Sequence, residues 1–252
     1  MKTGTFITVR SASSRLPNKC YKKINGIPVI NHIIRRAKQI QNSDEVILCT
    51  TKNKDDDRLC EIALKEGIKI FRGSEKDKLM RWKGATDKFE IDYFVTFDAD
   101  DLFCEPYLNE LALDQIKKEH LDFIHSTRVT PGAFTYCIAK NALDKVCEIK
   151  DTEDTEMMWV FFLETGLFKV AELRSSILND FYRPNVRITL DYPEDLLFFK
   201  KIYTDLISSY EFSLKEVLKF LDENPEIPKI NYFREEEWEN NQIKKTSLKL
   251  KS

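Results

Sequence analysis

Thr5-Phe6-Ile7-Thr8-Val9-Arg10-Ser11-Ala12-Ser13-Ser14-Arg15-Leu16-Pro17-Asn18-Lys19 is the stretch from which the rest of the chain is read. Phe6 to Val9 is an apolar run of the kind that forms a short buried strand. A polar loop follows at once, carrying Arg10, Ser11, Ser13, Ser14, Arg15 and Lys19. Pro17 stiffens it, fixing its own φ and pushing Leu16 toward extended backbone. Cations and hydroxyls together at a strand end suit a polyanion such as a nucleoside triphosphate. Guanidinium forks bind phosphate oxygens in pairs, an ammonium acts as a point charge, and hydroxyls and loop amides fill the gaps. A solvated basic loop is the plainer reading. Against it, the loop follows the first strand and has matching parts downstream.

Those parts lie in an alternation of strands and helices. From Pro28 the apolar residues Val29, Ile30, Ile33, Ile34, Ala37 and Ile40 recur at helical spacing, with Arg35, Arg36 and Lys38 outward. Residues 45–50 read as a second strand, 55–66 as a helix stopped by Gly67, 68–71 as a third strand, and 93–97 as a fourth. Residues 121–126 follow as a strand, and 133–139 as an edge or crossing strand. Residues 141–149 and 153–163 read as helices. A short strand at 188–190 then leads into a helix opened by Pro193, and 213–221 forms an amphipathic helix. This alternation predicts an α/β fold, with a mostly parallel sheet between two helical layers. Residues 1–222 form the domain and 223–252 a C-terminal extension, with 244–252 a frayed tail.

The 252 residues, 42% apolar, are enough for one substantial core. A formal net charge of −2 argues against a general nucleic-acid binder. No membrane-length apolar run or signal peptide is visible. Cysteines 20, 49, 60, 104, 137 and 147 lack C-x-x-C spacing, so buried free thiols and a cytoplasmic protein are expected.

At the end of the fourth strand stand Asp98, Asp100 and Asp101. Carboxylates this close repel unless a cation sits among them, so a metal site competes with a solvated acidic turn. Asp98-x-Asp100 is also the D-x-D pattern of nucleotide-sugar glycosyltransferases. Further on, Asp191 precedes the helix of Pro193. Glu194 and Asp195 are explained by that helix's first turn, and Asp191 is not.

Arg10, Ser13, Arg15, Leu16, Pro17 and Lys19 resemble the R-x-x-S-x-R-L-P-x-K loop of cytidylyltransferases of the CMP-Kdo and CMP-sialic acid type. The spore-coat polysaccharide group is the nearest likeness. Arg72-Gly73-Ser74-Glu75-Lys76-Asp77-Lys78-Leu79-Met80-Arg81 resembles that group's R-G-S-E-x-D-x-L-x-R segment, and Arg187 to Leu196 its R-x-T-x-D-x-P-E-D-L segment. The resemblance implies a Rossmann-like three-layer α/β/α nucleotidyltransferase fold with a mostly parallel mixed sheet. It further implies CTP held by Arg10, Ser13, Arg15 and Lys19, with nucleotide contacts from Arg72, Ser74 and Asp77. The same residues have a plainer use, with Ser74 capping a helix. Asp100, with Asp98 as the alternative, and Asp191 would share a catalytic Mg²⁺.

The middle of the chain matches poorly. Its load of Met157, Met158, Trp159, Phe161, Phe162, Leu167 and Phe168 suggests a homodimer interface. The small-molecule acceptor stays open among acidic sugars, phosphorylated polyols and phosphonates. A glycosyltransferase and a non-catalytic nucleotide-binding module remain as rival readings.

Overall fold

The computed structural model describes residues 1–209 and 211–251. Seven strands form one sheet: β1 (Thr3–Thr8), β4 (Glu45–Thr51), β5 (Lys69–Gly73), β6 (Tyr93–Asp98), β7 (Phe123–His125), β8 (Cys137–Ala139) and β9 (Val170–Glu172). A two-strand ribbon, β2 (Lys23–Ile24) with β3 (Ile27–Pro28), stands apart from it. The sheet order is β5-β4-β1-β6-β8-β7-β9. The strands from β5 to β6 run parallel, and β8 is antiparallel to both of its neighbours. This is the mostly parallel mixed sheet that the sequence implies.

The chain leaves β1 toward β4 and β5, then returns to pair β6 on the other side of β1. The crevice beyond the carboxyl ends of β1 and β6 is therefore a topological switch point, where open α/β sheets bind their ligands. Register sets Thr8 opposite Asp98, so the basic loop and the acidic turn emerge side by side. Phe6 stacks on Phe94 with ring centroids 4.3 Å apart, and the Trp82 indole donates to Thr8 Oγ1 at 2.9 Å.

The helices are α1 (Val29–Ala37), α2 (Asp57–Lys65), α3 (Lys78–Phe89), α4 (Pro106–Glu119), α5 (Lys140–Ile149), α6 (Val160–Leu163), α7 (Pro193–Asp205), α8 (Leu214–Glu223) and α9 (Glu235–Lys245). They flank the sheet, α1 packing beside α2 and α3 beside α5. Gly84 of α3 lies against the Phe71 ring, where a Cβ would come within 2.3 Å of Phe71 Cζ. Close helix–strand packing requires glycine there. All six cysteines are free thiols. Among the described residues no helix is long and apolar enough to cross a membrane.

Several expectations are corrected. Residues 133–139 supply an interior strand, because only Cys137–Ala139 pairs and it does so on both sides. Of 153–163 only Val160–Leu163 is α-helical; Thr155 is held instead by side-chain bonds to Asp77 and Leu79 N. Residues 188–190 join no sheet, although Leu190 N donates to Asp100 O at 2.8 Å. The helix after β5 is capped by Asp77, which accepts from Met80 N, and Ser74 Oγ accepts from Asp77 N instead. The tail pairs with the body, Lys251 N donating to Ile149 O, while Ser252 lies outside the described residues. Three of the seven suggested interface residues, Met158, Phe161 and Phe162, are spent in the core; Met157, Trp159 and Phe168 are half-buried, and Leu167 is exposed.

Arg36 is buried, where helical spacing had turned it outward. Its Nη2 lies 2.9 Å from Glu105 Oε2, its Nε donates to Cys104 O, and its Nη1 donates to Phe212 O. Glu105 in turn accepts from Leu214 N at 2.8 Å and from Tyr107 N. One ion pair thus fastens α1 to the starts of α4 and α8. Removing one partner strands a buried charge, so Glu105→Gln is expected to cost about 3 kcal/mol in urea unfolding. A loss below about 1 kcal/mol would mean that the carbonyls alone satisfy Arg36.

Candidate active site

Lys19 and Arg15 turn inward from the loop after β1, with side chains only 17% and 22% exposed. Asn18, at φ 56°, makes the left-handed step into the short helical turn that carries Lys19. Lys19 Nζ lies 2.7 Å from Asp100 Oδ2 and 3.1 Å from Asp191 Oδ1, and donates to Leu190 O at 3.1 Å. Arg15 Nη2 reaches the same Asp191 oxygen at 2.6 Å. The other oxygen of Asp191 faces Arg187 at 3.5 Å. Asp195 fixes the backbone at this point, accepting from the amides of Asp191 and Tyr192 at 2.8 Å each.

Asp98 ends β6 and pairs with Lys78 at 3.2 Å. Carboxylate oxygens of Asp98, Asp100 and Asp101 lie within 4.8 Å of one another. Gly132 seals this corner. At its φ of 95°, a Cβ would stand 2.7 Å from Ile188 O and 3.1 Å from Asp101 Oδ1, so only glycine lets the loop pass. These groups border one cleft of about 990 Å³, which Arg10, Ser13, Trp159, Tyr182 and Trp238 also line.

The electrostatics follow from burial and neighbours. Burial alone would raise the Asp191 carboxyl, yet Lys19 and Arg15 overcome it and hold that carboxyl far below the usual range. Burial would likewise lower the Lys19 ammonium, and Asp100 and Asp191 hold it up. Burial pushes Asp100 up, Lys19 opposing and Asp191 and Asp98 adding to the rise. Asp101 stands well above the carboxylate range, through burial first and then through Asp100 and Asp98.

A family model described as Cytidylyltransferase matches residues 5–202, the span that carries the basic loop, the acidic turn and Asp191. The chain belongs to the cytidylyltransferase family. It is a nucleotidyltransferase, and its fold is theirs. A cytidylyltransferase from Leptospira borgpetersenii serovar Hardjo-bovis superposes with a TM-score of 0.80 at 25% identity, over 90% of this chain and 96% of that one. An uncharacterized protein of Methanocaldococcus jannaschii is 27% identical over 92% of this chain and 95% of its own length. The spore coat polysaccharide biosynthesis protein SpsF of Bacillus subtilis is 23% identical over 88% and 94%.

In this cytidylyltransferase the expected site residues divide into two groups. Arg10, Ser13, Arg15, Lys19, Asp98, Asp100 and Asp191 all line the cleft. Arg72, Ser74 and Asp77 do not. Arg72 pairs with Asp57 at 2.6 Å and donates to the carbonyls of Thr51 and Asn53. Ser74 and Asp77 hold the start of α3, and Asp77 also takes Lys150 at 2.5 Å and Thr155 Oγ1 at 2.9 Å. Sequence reading placed Asp101 in the acidic turn without giving it a ligand role, and it missed Arg187, which stands in a segment it quoted. It also missed Glu156, Glu235 and Trp238, for which no motif gives a signal.

The central ion group makes stability depend on pH. Asp191, depressed in the fold, stabilises above its unfolded value near 4, and that contribution is lost as pH falls through the folded value. Lys19→Met removes the cation that Asp100 and Asp191 share, leaving Arg15 and Arg187 on Asp191 and leaving Asp100 without its ion-pair partner. In metal-free buffer its Tm is expected to fall furthest below wild type near pH 7, with the gap closing as pH drops through about 5 and protonation relieves the repulsion. A gap independent of pH would show lost packing instead.

Proposed function

We propose that this protein binds CTP and transfers CMP to a hydroxyl or phosphate oxygen of a small acceptor, releasing pyrophosphate. The observation that carries this reading is the meeting of Arg15 and Lys19 with Asp100 and Asp191 at one end of the cleft. Arg15 and Lys19 would grip phosphate oxygens and offset charge as the P–O bond breaks. The cleft walls would hold the acceptor oxygen in line with the α-phosphorus, so positioning supplies much of the rate. Asp195 and Arg187 keep the Asp191 carboxylate aimed at that point throughout.

The residues present fit a hard divalent cation. Asp98, Asp100 and Asp101 gather oxygen donors within 4.8 Å, the donor type that Mg²⁺ takes. Asp98 and Asp100, with Asp191, would hold it. Bound there, Mg²⁺ would neutralise phosphate charge and make the acceptor oxygen more acidic. Lys19 now bridges Asp100 and Asp191, and its ammonium would pass to the phosphates when both ligands arrive.

Acidic sugars, phosphorylated polyols and phosphonates are the acceptor classes we propose. The likeness to SpsF, a spore coat polysaccharide biosynthesis protein, supports a place in surface-polysaccharide synthesis, and we propose separately a cytoplasmic homodimer. The domain reading is 1–222, with 223–252 as an extension that lines the cleft through α9.

The test supplies CTP, Mg²⁺ and a panel of those acceptors, and measures pyrophosphate. Release is expected from CTP and not from ATP or GTP. Asp100→Asn and Asp191→Asn are each expected to lose turnover by roughly three orders of magnitude or more, while CTP still binds by calorimetry. Full activity of Asp191→Asn would reduce that carboxylate to a structural role. A dead Asp98→Asn beside an active Asp100→Asn would move the metal to Asp98.

A further inference from the structure

Arg10 stands apart from the other two cations of its loop. Its Nη2 lies 3.0 Å from Glu156 Oε2, and Lys245 of α9 lies 3.4 Å from the other oxygen of the same carboxylate. Arg10 also touches the carbonyl of Glu75 at 3.5 Å. Lys78 stands near enough to help Lys245 and Arg10 hold the Glu156 carboxyl low against its burial. All of these side chains line the cleft. One carboxylate therefore carries a cation on each oxygen, from opposite ends of the chain, with a third close by.

These pairs are open, the three side chains being 37%, 42% and 40% exposed for Arg10, Glu156 and Lys245. Ion pairs so solvated are weak and readily exchanged. Arg15 and Lys19, by contrast, are committed to Asp100 and Asp191 deep in the cleft. The cleft thus has two cationic centres, one at the acidic cluster and one at its α9 wall. A triphosphate spans two such centres, whereas a monophosphate needs one.

We propose that Glu156 is an internal anion held on Arg10 and on Lys245 of α9, that the terminal diphosphate of the nucleotide displaces it, and that Lys245 then joins Arg10 in holding that diphosphate. The proposal rests on the triphosphate reading of the same cleft. Residue 245 lies beyond the matched span of 5–202, so the family motif gives this cation no role. Glu156 leaves two cations, and the more highly charged phosphate oxygens take them in its place. When pyrophosphate forms, the returning carboxylate competes with it for Arg10 and Lys245 and favours its departure.

The experiment titrates the full chain by calorimetry with CTP, CMP and inorganic tripolyphosphate separately, at one fixed ionic strength. Lys245→Ala is expected to weaken CTP and tripolyphosphate about tenfold and leave CMP unchanged, with Lys245→Arg restoring affinity. Glu156→Gln is expected to tighten CTP and tripolyphosphate by roughly threefold or more, since no anion must be displaced. CTP affinity unmoved by both variants overturns the subsite. Equal losses for CMP and CTP in Lys245→Ala would show a structural lysine and overturn it too. Tripolyphosphate binding that follows these variants while wild type ignores CTP would sustain the anion subsite and sink the nucleotide reading.

Discussion

The Lys19 ammonium between the carboxylates of Asp100 and Asp191 is the contact on which the site depends. Two unit charges 4 Å apart interact by about 4 kcal/mol at an effective dielectric constant of 20. That exceeds the worth of a solvated surface pair, at most about 1 kcal/mol, so the acidic cluster cannot be held together by rim contacts. Lys19 lies in the loop after β1, Asp100 in the turn after β6, and Asp191 just before α7. One cation therefore joins three remote segments, and it does so where the sheet order reverses. Arg15 and Arg187 complete the neutralisation of Asp191 from two further directions.

The same arrangement explains why an acidic cluster persists beside buried apolar residues. Ala99, Leu102 and Phe103 are core, and the intervening aspartates are forced to the cleft by the turn between them. Among the described residues Asp101 has no cation within salt-bridge distance, and burial, with Asp100 and Asp98, pushes its carboxyl up. Asp191 is held ionised by its partners. Neighbouring carboxyls are thus pushed in opposite directions by their environments.

Much of this was legible in the sequence, for identifiable reasons. β1, β4, β5 and β6 are short apolar runs separated by helices with a clear period, and period is what local sequence encodes best. The loop at 10–19 and the acidic turn were legible because charged residues at strand ends have few structural uses. Arg36 was misread because helical spacing says which face a residue occupies, but not that Glu105 waits there. Residues 188–190 read as a strand, since β-branched and apolar residues alternate there; bonds from Leu190 N to Asp100 O and from Lys19 to Leu190 O hold them instead. Arg72 and Asp77 sit in a motif that resembles a ligand-binding segment, yet their partners Asp57 and Lys150 come from elsewhere in the chain. Pairings between remote charges leave no local trace.

The C-terminal helix shows the limit most plainly, and also why it matters. α9 buries no residue of its own, so no apolar stripe announces where it packs. It is held by charge: Glu235 to Arg187 at 3.0 Å, Arg234 to Glu194 at 2.9 Å, and Lys245 to Glu156. The first of these counts most, because Arg187 is buried and also pairs with Asp195 and Asp191. The Trp238 indole lies 5.1 Å from the same guanidinium and closes it off. A helix that lies outside the matched family span therefore shares its anchoring arginine with the carboxylate at the centre of the cleft. The α9 wall and the Asp191 end of the cleft are therefore joined through one buried guanidinium, and a shift of α9 would alter the charge balance around Asp191.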